Sequence, residues 1–182
     1  VPDGGPDHFF VEFEVPAGIV EIEVRDAHDS TANILDWGLL DPGGFRGWGG
    51  GNGEPAVVGL QAASRSYLPG EITPGTWRVV VGKAKIVGAS NYHIEIDLRT
   101  AATLAPQPER STYAPAPALE TGARWYAGDF HTHSVESGDA RPSLAEMMTF
   151  AADRGLDFIE LSDHNTTAQC DFINAAQARG PA

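Results

Sequence analysis

Hydrophobic and polar positions alternate in four stretches of the first hundred residues. Val11, Phe13 and Val15 interleave with Glu12 and Glu14. Val20, Ile22 and Val24 interleave with Glu21 and Glu23. Trp77, Val79 and Val81 form a third series, and Tyr92, Ile94, Ile96 and Leu98 interleave with His93, Glu95, Asp97 and Arg99. Successive side chains of a strand point to opposite faces, so each stretch predicts a strand with one buried and one wet face. Turn signals separate them: Pro16-Ala17-Gly18, Asp41-Pro42-Gly43-Gly44, Gly49 to Gly53, Pro69-Gly70 and Pro74-Gly75. Residues 1–100 therefore read as an all-β sandwich, jelly-roll-like in its many short strands. The run from Phe45 to Gly51 reads as a glycine-rich connection between strands, with Arg46 and Trp48 as a candidate binding lip. His8, His28 and His93 stand alone and read as surface residues.

The alternation stops after residue 100. Residues 101–121 hold Pro106, Pro108, Pro115 and Pro117 among Ala, Thr and Ser, and read as an extended linker in which Leu104 and Tyr113 can dock. Residues 122–182 show a different period. Trp125 to His133 reads as a strand. Ser143 and Glu146 form a capping box ahead of a helical stripe of Leu144, Met147, Met148 and Ala151, and Gly155 supplies the stop. Leu156 to Leu161 reads as a second strand and residues 166–179 as a second helix. Strand, helix, strand, helix is the pattern of a parallel α/β unit.

Composition narrows the function classes. The chain has 182 residues, enough for one or two domains, and carries 25 acidic against 12 basic residues, a formal charge of −13. No basic footprint offsets phosphate, so neither nucleic acid nor an anionic membrane is an expected partner. A single cysteine, Cys170, rules out an intrachain disulfide framework and reads as a small, partly buried helix residue. No apolar run is long enough to span a bilayer and no signal pattern opens the sequence, so a cytoplasmic location is expected.

Candidate chemistry is concentrated between Asp129 and Asn165. Asp129, His131 and His133 alternate and so share a strand face. His131 and His133 fall at the C-terminal end of the first predicted strand, His164 at that end of the second, and Asp139 in the loop between. A right-handed crossover makes the two strands neighbours, which brings three imidazoles and a carboxylate to one end of the sheet. That donor mixture suits zinc, manganese or iron. Asp163 and Asn165 can also serve as caps for the second helix, but neither role accounts for His131 and His133.

The run Gly128-Asp129-Phe130-His131-Thr132-His133-Ser134, with Gly155-Leu156-Asp157 and Ser162-Asp163-His164-Asn165-Thr166, resembles the opening of a domain of the PHP (polymerase and histidinol phosphatase) superfamily. The front half resembles the N-terminal region of its carbaryl-hydrolase-like (CehA/McbA) branch, in Leu40-Asp41-Pro42, Phe45-Arg46-Gly47-Trp48, Tyr67-Leu68-Pro69-Gly70, Pro74-Gly75-Thr76-Trp77 and Trp125-Tyr126. The resemblance implies that the β-sandwich is followed by the first two β/α units of a distorted (β/α)7 barrel with two or three divalent metals at its mouth. It implies that His131 and His133 bind one metal and that Asp139 and His164 bind another. Asp129 and Asp163 would orient ligand imidazoles. The branch normally has Ser-Asp-Gly after the paired His; here Ser137-Gly138-Asp139 moves the carboxylate by one position, and Glu136 is the substitute ligand. By the same resemblance, metal-activated water attacks phosphorus or an acyl carbon of a small phosphoester, amide or carbamate. No residue is assigned as catalytic in its own right.

The family needs further ligands from later strands, and no His follows His164. The chain is accordingly expected to be the front part of a longer, C-terminally truncated protein, with weak metal affinity and little or no turnover by itself. The alternative reading is a carbohydrate- or protein-binding β-sandwich joined to a degenerate metallohydrolase remnant. An amidohydrolase-type barrel also opens with His-x-His, but does not normally place Asp-His at the end of the second strand.

Overall fold

A computed structural model describes residues 4–29, 31–50, 53–115 and 122–179. The chain divides into two compact units, Val1–Pro106 and Gln107–Ala182.

Among the described residues the first unit has seven antiparallel strands: β1 (His8–Val15), β2 (Glu21–His28), β3 (Ile34–Asp41), β4 (Gly44–Gly50), β5 (Ala56–Gly59), β6 (Gly75–Lys85) and β7 (Tyr92–Arg99). They form a four-stranded sheet in the order β1-β6-β3-β4 and a three-stranded sheet in the order β5-β2-β7. The inward residues of both sheets make the core: Val15, Ile22, Leu35, Leu39, Val58, Val79 and Val81 share one cluster with Trp77, which is fully shielded from water. The Trp77 indole N–H donates to the Thr73 carbonyl at 2.8 Å, so this large residue is buried without an orphan donor. A 4+3 sandwich of this kind differs from the eight strands of a jelly roll.

β3, β4 and the short β5 are not visible in the alternation. β3 carries Trp37, Gly38 and Leu39, buried on both faces, so no period of two is visible in it. β4 occupies the stretch expected to be a loop. It is paired to β3 through two register shifts, and its glycines are there for steric reasons. A Cβ on Gly47 would lie 2.4 Å from the Ser66 carbonyl oxygen, at a φ of +145° that side chains rarely adopt. The Asp41 to Gly44 turn is as read: Asp41 Oδ1 accepts from the amides of Gly43 at 2.7 Å and Gly44 at 2.6 Å. Residues 51 and 52 of the Gly49 to Gly53 signal lie outside the described residues.

Glu21, expected on a wet face, is completely buried. Its carboxylate accepts from Arg99 Nη1 (3.1 Å), the Thr103 hydroxyl (2.6 Å) and the amides of Thr103 and Leu104 (3.0 and 3.2 Å). Burial alone would raise its pKa. The Thr103 hydroxyl, the two amides and Arg99 outweigh that and hold it below the ordinary glutamate value. Thr103 and Leu104, at the start of the predicted linker, are thereby fastened to β2. Arg46 is similarly enclosed, bonded to Asp41 and to the Leu68 and Glu71 carbonyls, over the Trp77 ring. His8 and His93 are exposed, as read; the side chain of His28 lies outside the described residues.

The second unit holds β8 (Gly128–Thr132), α1 (Leu144–Asp153), β9 (Phe158–Leu161) and α2 (Ile173–Arg179), with single 3-10 turns at Val135–Ser137 and Ala168–Phe172. β8 and β9 pair in parallel, Gly128 opposite Phe158 and Thr132 opposite Leu161. The capping box is present in full: the Glu146 amide donates to Ser143 Oγ while the Glu146 carboxylate accepts from the Ser143 amide. Gly155, at φ +71°, turns the chain after α1. Arg110 fastens the front of this unit. Its side chain is 4% exposed, bonded to Gln107 at 2.6 Å and Asp171 at 3.3 Å, over the Phe172 ring. The stretch expected to be a linker is thus divided between the units at Pro106; residues 116–121 of it lie outside the described residues.

The expected β/α barrel is not formed. The described chain is mostly β, with two α-helices of ten and seven residues, and its only parallel pairing is β8 with β9. Two strands cannot curve into a closed wall, since closure links strand number, tilt and stagger. The expected second long helix is shortened as well, because its first turn is 3-10 from Ala168 to Phe172. Among the described residues no helix is long and apolar enough to cross a membrane.

Candidate metal centre

Parallel pairing of β8 and β9 brings two loops to one end of the sheet. Thr132 and Leu161 are opposite each other, and the Ser162 amide and hydroxyl both donate to the Thr132 carbonyl, at 2.9 and 3.1 Å. Past this point the two chains diverge. One carries His133 into the turn at Val135–Ser137, and the other carries Asp163 and His164.

Three side-chain contacts define the cluster. His131 Nε2 and His133 Nε2 are 3.1 Å apart. His133 Nδ1 faces both oxygens of Asp139, at 3.2 and 3.0 Å. His164 Nε2 is 3.5 Å from Asp139 Oδ2, and its ring stands edge-on to His133 with centroids 4.5 Å apart. The side chain of His133 is 17% exposed, those of Asp139 and His164 51% and 60%. The cluster therefore opens to solvent, with His133 at its base.

A carboxylate only accepts, so the contact with Asp139 favours the neutral tautomer of His133 that carries its proton on Nδ1. In that tautomer Nε2 has a lone pair to offer on the side of His131 Nε2. Two ligand nitrogens each about 2.1 Å from one metal stand about 3.0 Å apart at a right angle and about 3.4 Å apart at the tetrahedral angle. The observed 3.1 Å lies within that range, so His131 and His133 fit a shared divalent metal. A carboxylate holding the far nitrogen of a ligand histidine is the usual means of fixing its ring. His133, Asp139 and His164 also offer one ligand atom each within 4.8 Å of one another. Asp139 is thus placed both to hold His133 and to stand as a ligand beside His164.

Two serines that no sequence pattern singled out organise the cluster. Ser137 Oγ accepts from the His164 amide at 2.9 Å and its hydroxyl donates to Asp139. That donation, reinforced by His133, holds the Asp139 carboxyl below its ordinary value and keeps it a carboxylate. Ser134 donates through its hydroxyl to Asp163 at 2.7 Å, and its amide bonds the other oxygen. Asp163 therefore ties the two loops together instead of orienting a ligand imidazole. Asp129 likewise binds a backbone group, accepting from the His131 amide at 3.0 Å. Glu136, the substitute ligand, is 95% buried, with its carboxylate 4.0 Å from Arg110.

The only legible signals for these serines were their positions directly after the paired histidines and inside Ser137-Gly138-Asp139. Gly138, at φ +83°, bends the loop so that Ser137 and Asp139 both face the cluster. No protein-family model, curated protein or solved structure matches the chain.

Proposed function

We propose that this chain carries the histidine-rich part of a divalent-metal centre belonging to a metal-dependent hydrolase of the PHP type that its motifs resemble, acting on a small phosphoester or a related amide or carbamate. The observation that carries the reading is the approach of His131 Nε2 and His133 Nε2 with Asp139 on the far nitrogen of His133. When bound, zinc, manganese or iron would supply Lewis acidity and lower the pKa of water near the scissile group. His131 and His133 would hold the first ion. His164 and Asp139 face the adjoining space and can hold a second. Ser137 fixes the relative positions of that pair, and the Ser134–Asp163 bonds keep the two loops in register.

Titration of the metal-free protein with Zn²⁺ against a chromogenic chelator tests the centre. We expect binding that weakens by about tenfold or more in His131→Ala and in His133→Ala, the range seen when a ligand or its support is lost. Unchanged affinity in both variants refutes the centre. The hydrolase reading is tested separately with a chromogenic phosphodiester. Three imidazoles and one carboxylate are few donors for two metals, so little or no chelator-sensitive release is expected of this chain by itself. Product analogues should nevertheless compete for the bound metal: inorganic phosphate or a phosphonate that shifts the Zn²⁺ titration supports the hydrolase reading, and metal binding that none of phosphate, phosphonate or carboxylate perturbs leaves the centre and removes the hydrolase.

A further inference from the structure

The outer face of the four-stranded sheet carries a second constellation, unrelated to the histidine cluster. Strand register places its residues in two adjacent cross-strand rows. One row runs Phe10, Val80, Gly38, Trp48 across all four strands, and the next runs His8, Gly82, Asp36. Two members of the floor are glycines, and the Trp48 indole occupies the space above them. A Cβ on Gly38 would lie 2.5 Å from Trp48 Cε3, and one on Gly82 would lie 3.0 Å from Trp48 Cη2. Val80, an outward-facing residue, is nevertheless only 6% exposed. The six-membered ring of Trp48 is therefore seated on the sheet at a fixed place by a floor with no side chains beneath it.

Around this ring lie polar groups that the fold does not use. Among the described residues the Trp48 indole N–H has no acceptor, the Asp36 carboxylate has no donor, and neither ring nitrogen of His8 is hydrogen-bonded. His8 stands 6.0 Å from Trp48, centroid to centroid, and its field partly offsets the burial that raises the Asp36 pKa. Phe10, at the far end of the first row, is 56% exposed. Partly buried polar groups such as the Asp36 carboxylate and the Trp48 N–H usually find partners within the fold, whereas exposed His8 does not need one. Here a donor, an acceptor and a group able to do both surround an aromatic surface, and all three are left open.

We infer that this face binds a neutral saccharide, with one pyranose ring against the Trp48 indole and its hydroxyls meeting Asp36, His8 and the Trp48 N–H. A sugar ring has an apolar C–H face and an edge of groups that both donate and accept, which is the complement of this set. An anionic ligand is disfavoured by Asp36 and by the net charge of −13. A quaternary ammonium would use the indole face and Asp36 but leave the indole N–H unpaired. Three strand spacings separate Phe10 from Trp48, about 14 Å, so the face accepts a short oligosaccharide instead of a single ring alone.

The four tryptophans give four indole N–H signals in a ¹⁵N correlation spectrum of the whole chain. We would titrate the protein, with EDTA present, against cellohexaose, xylohexaose, mannohexaose and chitohexaose in turn, and against tetramethylammonium as a control. At least one hexasaccharide should move the Trp48 signal saturably. Trp48→Phe, which keeps a ring over the two glycines but removes the N–H, should weaken that binding, and Asp36→Asn should weaken it by about tenfold. If Trp48→Ala fails to fold, these two variants still decide the matter. No saturable shift with any of the four sugars up to about 10 mM overturns the inference. So does a shift by tetramethylammonium alone, or binding that both variants leave unchanged. Because metal is chelated throughout, the result stands or falls independently of the metal centre.

Discussion

Two polar clusters, one in each unit, are arranged in opposite ways. In the first, Glu21 is sealed from water and every direction around its carboxylate is filled: Arg99, the Thr103 hydroxyl and two amides. In the second, His131, His133, His164 and Asp139 converge at the open end of a two-stranded sheet, with most of Asp139 and His164 in solvent. The first arrangement spends its polar groups on one another and leaves none over for a ligand. The second leaves lone pairs pointing at a common space. The surroundings differ correspondingly. Fourteen buried apolar residues form one cluster in the sandwich. The buried apolar side chains of the second unit are Leu144, Ala151, Ala168 and Ala176 among the described residues. A structural charge sits deep in a strong core; a candidate ligand set sits at the margin of a weak one.

Several changes would sharpen or break this contrast. The largest effect is expected from Trp77→Ala, which empties the centre of the sandwich and should cost about 3–5 kcal/mol in urea unfolding. Glu21→Ala should follow, at about 2–4 kcal/mol, because it strands the Arg99 guanidinium and frees Thr103 and Leu104; a loss below 1 kcal/mol would show the clasp to be incidental. The same residue sets an acid dependence. Its folded pKa is depressed, so its stabilisation is complete above its ordinary value of 4.5 and is lost as pH falls through the lower folded value. Amide exchange in β2 and β7 should accelerate below that point in the wild type but not in Glu21→Gln. Ser143→Ala, which removes the cap of α1, should cost about 1 kcal/mol, felt in helix amides alone. The smallest effect belongs to the metal cluster: His131→Ala and His133→Ala should change metal-free stability by less than about 0.5 kcal/mol. A large loss in either would assign these histidines to the fold and undo the contrast.

Legibility in the sequence followed the strength of the local pattern. β1, β2 and β7 are readable because charged residues alternate with apolar ones along them, and β6 because Trp77, Val79 and Val81 keep a period of two although Val80 between them is buried as well. β3 and β4 are not, since Gly38, Gly47 and the two-sided burial of Trp37 to Leu39 erase the alternation. The capping box and Gly155 are local devices, and both were read from adjacent residues. The barrel came from likeness of motif and not from any residue that could build it, and it is absent. Within the cluster, the nearness of His131 to His133 is legible in their spacing of two at the end of β8, His133 being the first residue beyond it. The contacts of Ser134 with Asp163 and of Ser137 with His164 join residues almost thirty positions apart, and only the pairing of β8 with β9 makes them neighbours. Nor does spacing show that Asp129 accepts from the His131 amide, or Asp163 from the amide and hydroxyl of Ser134, in place of orienting imidazoles.

The clasp at Glu21 and the anchor at Arg110 have a consequence for how the gene could be cut and rejoined. Glu21 keeps residues up to Leu104 with the sandwich, and Arg110 keeps residues from Gln107 onward with the α/β unit. Only Ala105 and Pro106 lie between. A splice at that point removes neither fastening, so each half would carry away the residues that finish its own surface. Recombination here could exchange one half for another without repair of the remaining one, and an expression boundary at Pro106 is the natural place to divide the protein for study.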